Sequence, residues 1–249
     1  MLPPFPTMPH MIPRRAAALL AAATLSLLAA TTPAQAQDKP AEAPKDYSLA
    51  ERLLFMRDQL GAMKPPTTLR YQFTKTGALE SGLQGGIDLV LTKATGGRCC
   101  AAEVRVADRA IGPSLPTVEQ ASGNPVLLFF LDRDVREMHR LTRGSEAYYR
   151  KRIRMAVFEG ARVTDVSLAY KGRSVRGKRI DIAPYDGDPA RSRFEKHARK
   201  TYQFDLSDEV PGGVHAIRSI MRDADDKAPP MIVEELRLDG ATPSSENPR

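Results

Sequence analysis

Residues 69–91 have the sequence LRYQFTKTGALESGLQGGIDLVL, and this stretch decides the fold class. Leu69, Tyr71 and Phe73 alternate with polar residues, and the same period of two returns at 87–91. Such alternation is typical of a strand with one buried face. The glycines between the two segments indicate a turn that is too short to hold a crossover helix. The stretch therefore predicts two antiparallel strands.

The same period of two recurs along the chain. It predicts further strands at 100–106, 166–170, 178–183, 202–206, 214–221 and 232–238. The intervening 111–123 segment has no such alternation and is expected to be a loop. About seven strands, within the usual size of a sheet, are expected to form one antiparallel sheet.

Helical spacing predicts three helices beside this sheet. Ser48 and Glu51 have the spacing of a capping box, which predicts a first helix over 48–63. Asn124 and Pro125 then open a central helix over about 125–142, and Ser145 caps another over 146–159. A buried strand at Val126–Leu131 remains an alternative for the short apolar run, because periodicity does not separate the two.

These elements predict an α+β fold: a curved antiparallel sheet, or incomplete β-barrel, packed on an N-terminal helix and a central helical hairpin. We expect a single domain over 48–239, with a disordered leader at 37–47 and a disordered tail at 240–249.

The N-terminal segment predicts export. Arg14 and Arg15 are the only charged residues before Asp38, and the weakly apolar run Ala16–Ala30 follows them. The small residues of Ala34-Gln35-Ala36 then match a signal-peptidase site. A retained membrane anchor is the alternative, but spanning a bilayer takes about 20 apolar residues and this run is shorter. Residues 1–36 therefore predict a signal peptide cleaved after Ala36 and a periplasmic protein.

The chain is basic, with a net charge of +7. A basic surface favours anionic partners such as a phospholipid surface. Export makes nucleic acid the least favoured of these, so no nucleic-acid partner is expected. The most distinctive basic cluster contains Arg150, Lys151, Arg152 and Arg154, and it predicts contact with an anionic membrane surface or envelope protein. A solvated helix face balanced by nearby acids is the alternative interpretation.

No catalytic, cofactor-binding or metal-binding motif is present in the sequence. His139, His197 and His215 lack the spacing of metal ligands, and no nucleophile elbow or phosphate loop occurs. We therefore expect neither a cofactor nor an enzymatic activity. Cys99 and Cys100 are adjacent, and neighbours on a strand point to opposite faces, so two separate thiols are expected over a disulfide.

The order of the elements resembles that of the periplasmic lipoprotein-carrier (Lol) superfamily. The matching parts are the helix Ser48–Met63, the strand Leu69–Thr74 and the glycine-broken hairpin Gly77–Leu91. The resemblance implies a strongly bent, incomplete β-barrel whose apolar concave face is covered by helices. It also implies that the protein carries acyl chains.

Three functions follow as hypotheses. The first is a non-enzymatic envelope carrier whose sheet face holds a lipid-like ligand. The candidate lining residues are Tyr71, Phe73, Leu89, Leu91, Phe129 and Phe130. The second is a scaffold that docks an anionic envelope partner through the basic helix. The third is an enzyme built from distant segments, for example His215 with Asp205. An empty apolar cavity would favour the carrier, and a filled core would favour the scaffold.

Overall fold

The computed structural model describes residues 46–80, 82–96, 99–225 and 227–242. The chain divides into two units, 1–44 and 45–249, and every described residue belongs to the second. The predicted signal peptide and residues 37–45 of the predicted leader lie outside the described residues, so these boundaries stay predictions. In the described part of the chain, no helix is long and apolar enough to cross a bilayer.

Over the described ranges, nine strands form a single antiparallel sheet in the order β4-β3-β2-β1-β9-β8-β7-β6-β5. The two edge strands, β4 and β5, do not pair with each other, so the sheet stays open. The predicted α+β class is therefore confirmed. The strands are β1 Thr67–Thr76, β2 Leu83–Lys93, β3 Cys100–Val106, β4 Leu115–Ala121, β5 Arg162–Tyr170, β6 Arg173–Ile182, β7 Lys200–Leu206, β8 Val214–Met221 and β9 Ile232–Leu238.

The helical elements are an N-terminal turn, a central hairpin and two short turns before β7. The hairpin has the predicted bounds, and the alternative of a strand at 126–131 is wrong. The helical elements are α1 Leu49–Glu51, which continues as a π-helical turn Arg52–Met56, then α2 Val126–Thr142, α3 Glu146–Glu159, the 3-10 turn Arg191–Arg193 and α4 Glu195–Ala198.

The first helix is shorter than predicted. It ends at Met56, because Arg57 has an extended backbone and the Leu60 N–H then donates to the Ser122 carbonyl at 2.9 Å. The apolar residues that suggested a helix to residue 63 do not share one buried face. Leu60 is buried in the core, whereas Met56 is 52% exposed.

Strand β4 lies within the segment that the sequence predicted to be a loop. It pairs with β3 through Cys100 opposite Ala121 and Ala102 opposite Val118, so an advance of two positions along β3 matches an advance of three along β4. Such bulges break the alternation that identifies a strand in a sequence. The strand is also largely exposed, which removes the apolar signal.

The core lies between one face of the sheet and the helices. Leu69, Tyr71 and Phe73 of β1 are buried on this face, as their alternation predicts. Phe73 is opposite Gly85 on β2 and Leu236 on β9, so its side chain occupies the middle of the sheet. The opposite face of β1 carries polar side chains.

Cys99 and Cys100 form a disulfide between adjacent residues. The expectation of two separate thiols is therefore wrong. It rested on the alternation of side chains along a strand, but β3 begins only at Cys100. Cys99 precedes the strand, so the alternation does not constrain its side chain.

The described end of the chain is attached to β5. The Lys171 N–H donates to the Gly240 carbonyl at 2.6 Å, and the Thr242 N–H donates to the Ala169 carbonyl at 3.1 Å. The predicted tail thus begins with residues that are hydrogen-bonded to the edge of the sheet. The rest of it lies outside the described residues.

Candidate ligand groove

Helix α2 begins with an apolar run that surrounds the helix. Residues 126–131 read VLLFFL, and six consecutive apolar residues cannot all face one side at 3.6 residues per turn. Phe130 and its neighbours are buried, but Leu128 is 57% exposed. Leu128, Leu131 and Val135 have the spacing of a second stripe on α2. Leu128 is exposed, whereas Leu131 and Val135 are buried at the margin of the core.

This second stripe forms one wall of an open groove of about 730 Å³. The other walls come from the N-terminal turn, the middle of α3 and the edge strand β4. Most of the lining side chains are apolar, with charged groups at a few points. The lining residues are Tyr47, Glu51, Phe55, Met56, Leu115, Pro116, Val118, Leu128, Leu131, Asp132, Val135, Arg150, Ile153 and Arg154.

A second hollow of about 420 Å³ continues the groove along α2. Phe55, Val118 and Leu128 line both, so the two hollows meet at these side chains. The second hollow extends to Gly123 and Pro125, where α2 begins. The combined space is therefore elongated and runs between α2 and the open edge of the sheet.

Two polar residues hold the walls of the groove in place. Ser48 caps α1 by accepting from the Glu51 N–H at 3.1 Å, and its hydroxyl donates to the Val157 carbonyl at 3.1 Å. The N-terminal turn is thereby tied to α3. Buried Asn124 donates to the Tyr71 hydroxyl at 2.9 Å and accepts from the Val126 N–H at 3.1 Å, which fixes the start of α2.

The charged residues of the groove differ in how far they are neutralised. Arg150 donates to Asp132 at 2.7 Å and to Glu146 at 2.8 Å, so its charge is balanced locally. Glu51 accepts from the Ser48 N–H at 2.9 Å. Arg154 is exposed and makes no side-chain hydrogen bond or ion pair within the described residues. It is therefore the cation in the groove that is available to a ligand.

The six residues predicted to line a ligand site are all buried in the hydrophobic core. None of them lines the groove. In this conformation they contact one another and the helices, so they offer no surface to a ligand, and their role as lining residues stays a prediction. The sequence reasoning placed the apolar space between the middle of the sheet and the helices, whereas the groove lies between α2, α3, the N-terminal turn and the edge strand β4. These six are Tyr71, Phe73, Leu89, Leu91, Phe129 and Phe130.

A row of polar side chains crosses the buried face of the sheet beneath α2. In register, Lys75 of β1 lies opposite Glu234 of β9, which lies opposite Ser219 of β8, and Ser219 lies opposite Tyr202 of β7. All four side chains are buried. Glu234 and Ser219 each occupy an inward position between apolar neighbours on the strand. That is the signal in the sequence that could have revealed this row, which we call the polar layer.

Helix α2 supplies partners to the polar layer. Buried Asp134 accepts from Lys200 and from the Tyr202 hydroxyl, and Arg133 donates to Glu234 at 2.7 Å. Burial raises the pKa of Asp134, while Lys200 opposes that effect. These bonds attach the middle of α2 to the sheet. Breaking them would leave a buried charge without its partner, which is strongly unfavourable.

Glu137 completes the polar layer one turn further along α2. It accepts from Lys75 at 2.9 Å and from Arg140 at 2.7 and 2.8 Å. Burial by itself would raise the pKa of Glu137, but the hydrogen bonds from Arg140 and Lys75 outweigh it and lower the pKa to about 2. Glu137 therefore stays ionised in the folded protein well into the acidic range.

The predicted basic cluster separates into engaged and available cations. Arg150 is neutralised as described, and Arg152 forms an ion pair with buried Asp188 at 3.1 Å. Lys151 is exposed, and the described chain gives its ammonium no partner. Of the four predicted contacts to an anionic partner, only Lys151 and Arg154 present a free charge; the role of all four stays a prediction.

The histidines have local contacts. His139 Nδ1 lies 2.7 Å from the Gly144 carbonyl, and His215 Nε2 lies 3.0 Å from the Ala169 carbonyl. Among the described residues, His215 Nδ1 has no hydrogen-bond partner and Asp205 accepts from Arg179, so the suggested His215–Asp205 pair is not seen there. Over the described ranges, no group of three or more potential ligands could hold a metal ion.

Comparisons with known proteins give little further information. The chain is similar to the crystal structure of the Mycobacterium tuberculosis lipoprotein LppX, with 10% identity, coverage of 80% of this chain and 99% of that chain, and a TM-score of 0.31. No protein-family model and no curated protein matches it. A TM-score of this size supports no functional assignment, so the resemblance to the lipoprotein-carrier superfamily stays a prediction.

Proposed function

We propose that this chain is an exported, non-enzymatic envelope protein that binds a lipid-like ligand in the groove between α2 and β4. The observation that supports this is an open apolar groove of about 730 Å³, which is within the usual range of ligand pockets. A concave site lined mostly by apolar side chains, with a few charged groups, is typical of small-molecule binding. Its elongated form suits an acyl chain.

We further propose that the ligand carries an acidic headgroup. Arg154 lies at the groove without a partner in the described structure, whereas Arg150 is held by two carboxylates. A guanidinium binds a carboxylate or a phosphate through paired hydrogen bonds. A fatty acid and an acidic phospholipid share this chemistry.

The first test measures binding of a pyrene-labelled palmitic acid to the purified protein. Leu128→Asp places a charge on the exposed wall of the groove, and we expect at least tenfold weaker binding. The reason is that contact with a leucine-sized apolar group contributes about 1.5–3 kcal/mol. Leu79→Asp is the matched control, since Leu79 is 62% exposed and does not line the groove. Equal loss in both variants, or no binding by the parent protein, would overturn the proposal.

The second test addresses the headgroup. We expect Arg154→Gln to weaken binding of palmitic acid about tenfold, as loss of a charge-assisted hydrogen bond predicts, and to leave binding of palmityl alcohol unchanged. Arg173→Gln, at an exposed arginine on β6 away from the groove, is the control. If Arg154→Gln changes both ligands equally, the arginine acts only through packing and the ligand is uncharged.

The alternative function is a scaffold that docks an anionic envelope protein through α3. Its support is reduced to Lys151 and Arg154, because Arg150 and Arg152 are already engaged. It predicts that charge reversal at Lys151 abolishes partner binding while the groove binds no lipid. Native mass spectrometry after mild purification separates the two, because only the carrier is expected to retain a bound lipid.

A further inference from the structure

Apolar side chains are exposed beside the groove as well as within it. Leu49 at the start of α1 is 48% exposed and Phe158 at the end of α3 is 46% exposed, yet neither lines the groove. The hydrogen bond from Ser48 to the Val157 carbonyl places these two segments next to each other. We call Leu49 and Phe158 the apolar rim.

Two cations accompany the apolar rim. Lys151 lies seven residues before Phe158, so both fall on one stripe of α3 together with Arg154. Arg52 follows Leu49 by one turn and is exposed. Neither Arg52 nor Lys151 has a side-chain partner among the residues that the structure describes, so both charges face solvent.

We infer that the apolar rim, with Arg52 and Lys151, docks the protein on an anionic lipid bilayer. Apolar side chains flanked by lysine and arginine are the pattern by which helices bind the bilayer interface. The free cations complement anionic headgroups, and the surface adjoins the groove at Tyr47 and Arg154. The inference rests on the proposed function, since a bilayer would be the source or destination of a groove-bound lipid.

The test is co-sedimentation of the protein purified after export with vesicles of 30% phosphatidylglycerol in phosphatidylcholine, compared with pure phosphatidylcholine. We expect binding to the anionic vesicles only, reduced at high salt. Each cation near the surface contributes about fivefold in affinity, so Lys151→Glu is expected to weaken binding at least fivefold. Glu159→Lys, at an exposed acid beside Phe158, is expected to tighten it.

Control variants separate this inference from the proposed function. Phe158→Ser and Lys151→Glu lie outside the groove lining, so both should keep normal binding of palmitic acid while losing vesicle binding. Arg173→Glu should change neither. Vesicle binding that ignores phosphatidylglycerol or these variants overturns the inference. So does self-association that Phe158→Ser abolishes, because the surface would then bind a second copy. Failure of palmitic acid binding alone overturns only the proposed function.

Discussion

Protonation of Glu137 is expected to weaken the attachment of α2 to the sheet. In the folded protein, hydrogen bonds from Arg140 and Lys75 lower its pKa from 4.5 to about 2. A pKa lowered in the folded state stabilises the protein above the unfolded value and ceases to do so as the pH falls through the folded value. One pKa unit corresponds to about 1.4 kcal/mol, so ionised Glu137 contributes up to about 3 kcal/mol at pH 7.

The perturbation is Glu137→Gln, and the assay is urea unfolding followed by far-ultraviolet circular dichroism, since the chain has no Trp. At pH 3 the unfolded chain binds the proton but the folded protein largely does not, which leaves about 1.4 kcal/mol of the contribution. The difference in unfolding free energy between parent and variant should therefore shrink by about 2 kcal/mol between pH 7 and pH 3. This change is independent of any constant effect of the glutamine amide.

Glu119→Gln on the exposed edge strand is the control, and it should change the free energy of unfolding by less than about 0.5 kcal/mol at either pH. A parent–variant difference that is the same at pH 7 and pH 3 would refute the reasoning. It would mean that the ion pairs of Glu137 contribute no more in the folded protein than its hydration does in the unfolded chain.

Two further predictions concern buried contacts, both measured by urea unfolding at pH 7. Lys200→Met should destabilise the protein by about 3–5 kcal/mol because it leaves Asp134 buried without its cation. The double variant with Asp134→Leu should recover most of that loss. No recovery would show that the two residues act separately. Asn124→Ala removes hydrogen bonds to Tyr71, the Gly212 carbonyl and the Val126 N–H and should cost about 3 kcal/mol; a loss below about 1 kcal/mol would show that these groups find other partners.

The sequence by itself determined the elements that depend on local patterns. The alternation at Leu69, Tyr71 and Phe73 predicts both the strand and its buried face, because period two is a property of the extended backbone. The bounds of α2 and α3 also follow from the sequence, since Asn124 and Ser145 satisfy the N–H groups at the starts of these helices. Helix capping and strand alternation need no knowledge of the rest of the fold.

Only the tertiary structure decided where the apolar space lies. The run at 126–131 predicts a helix that is apolar on all sides, but the pattern does not say that Leu128 faces away from the sheet. The polar layer likewise joins Lys75, Glu234 and Asp134 from segments far apart in the chain. Strand register and helix docking bring such groups together, and both are set by the packing of the whole core. The position of the groove therefore follows from packing, which no local spacing in the sequence encodes. Packing also decides which of the arginines in the groove are neutralised by neighbouring carboxylates.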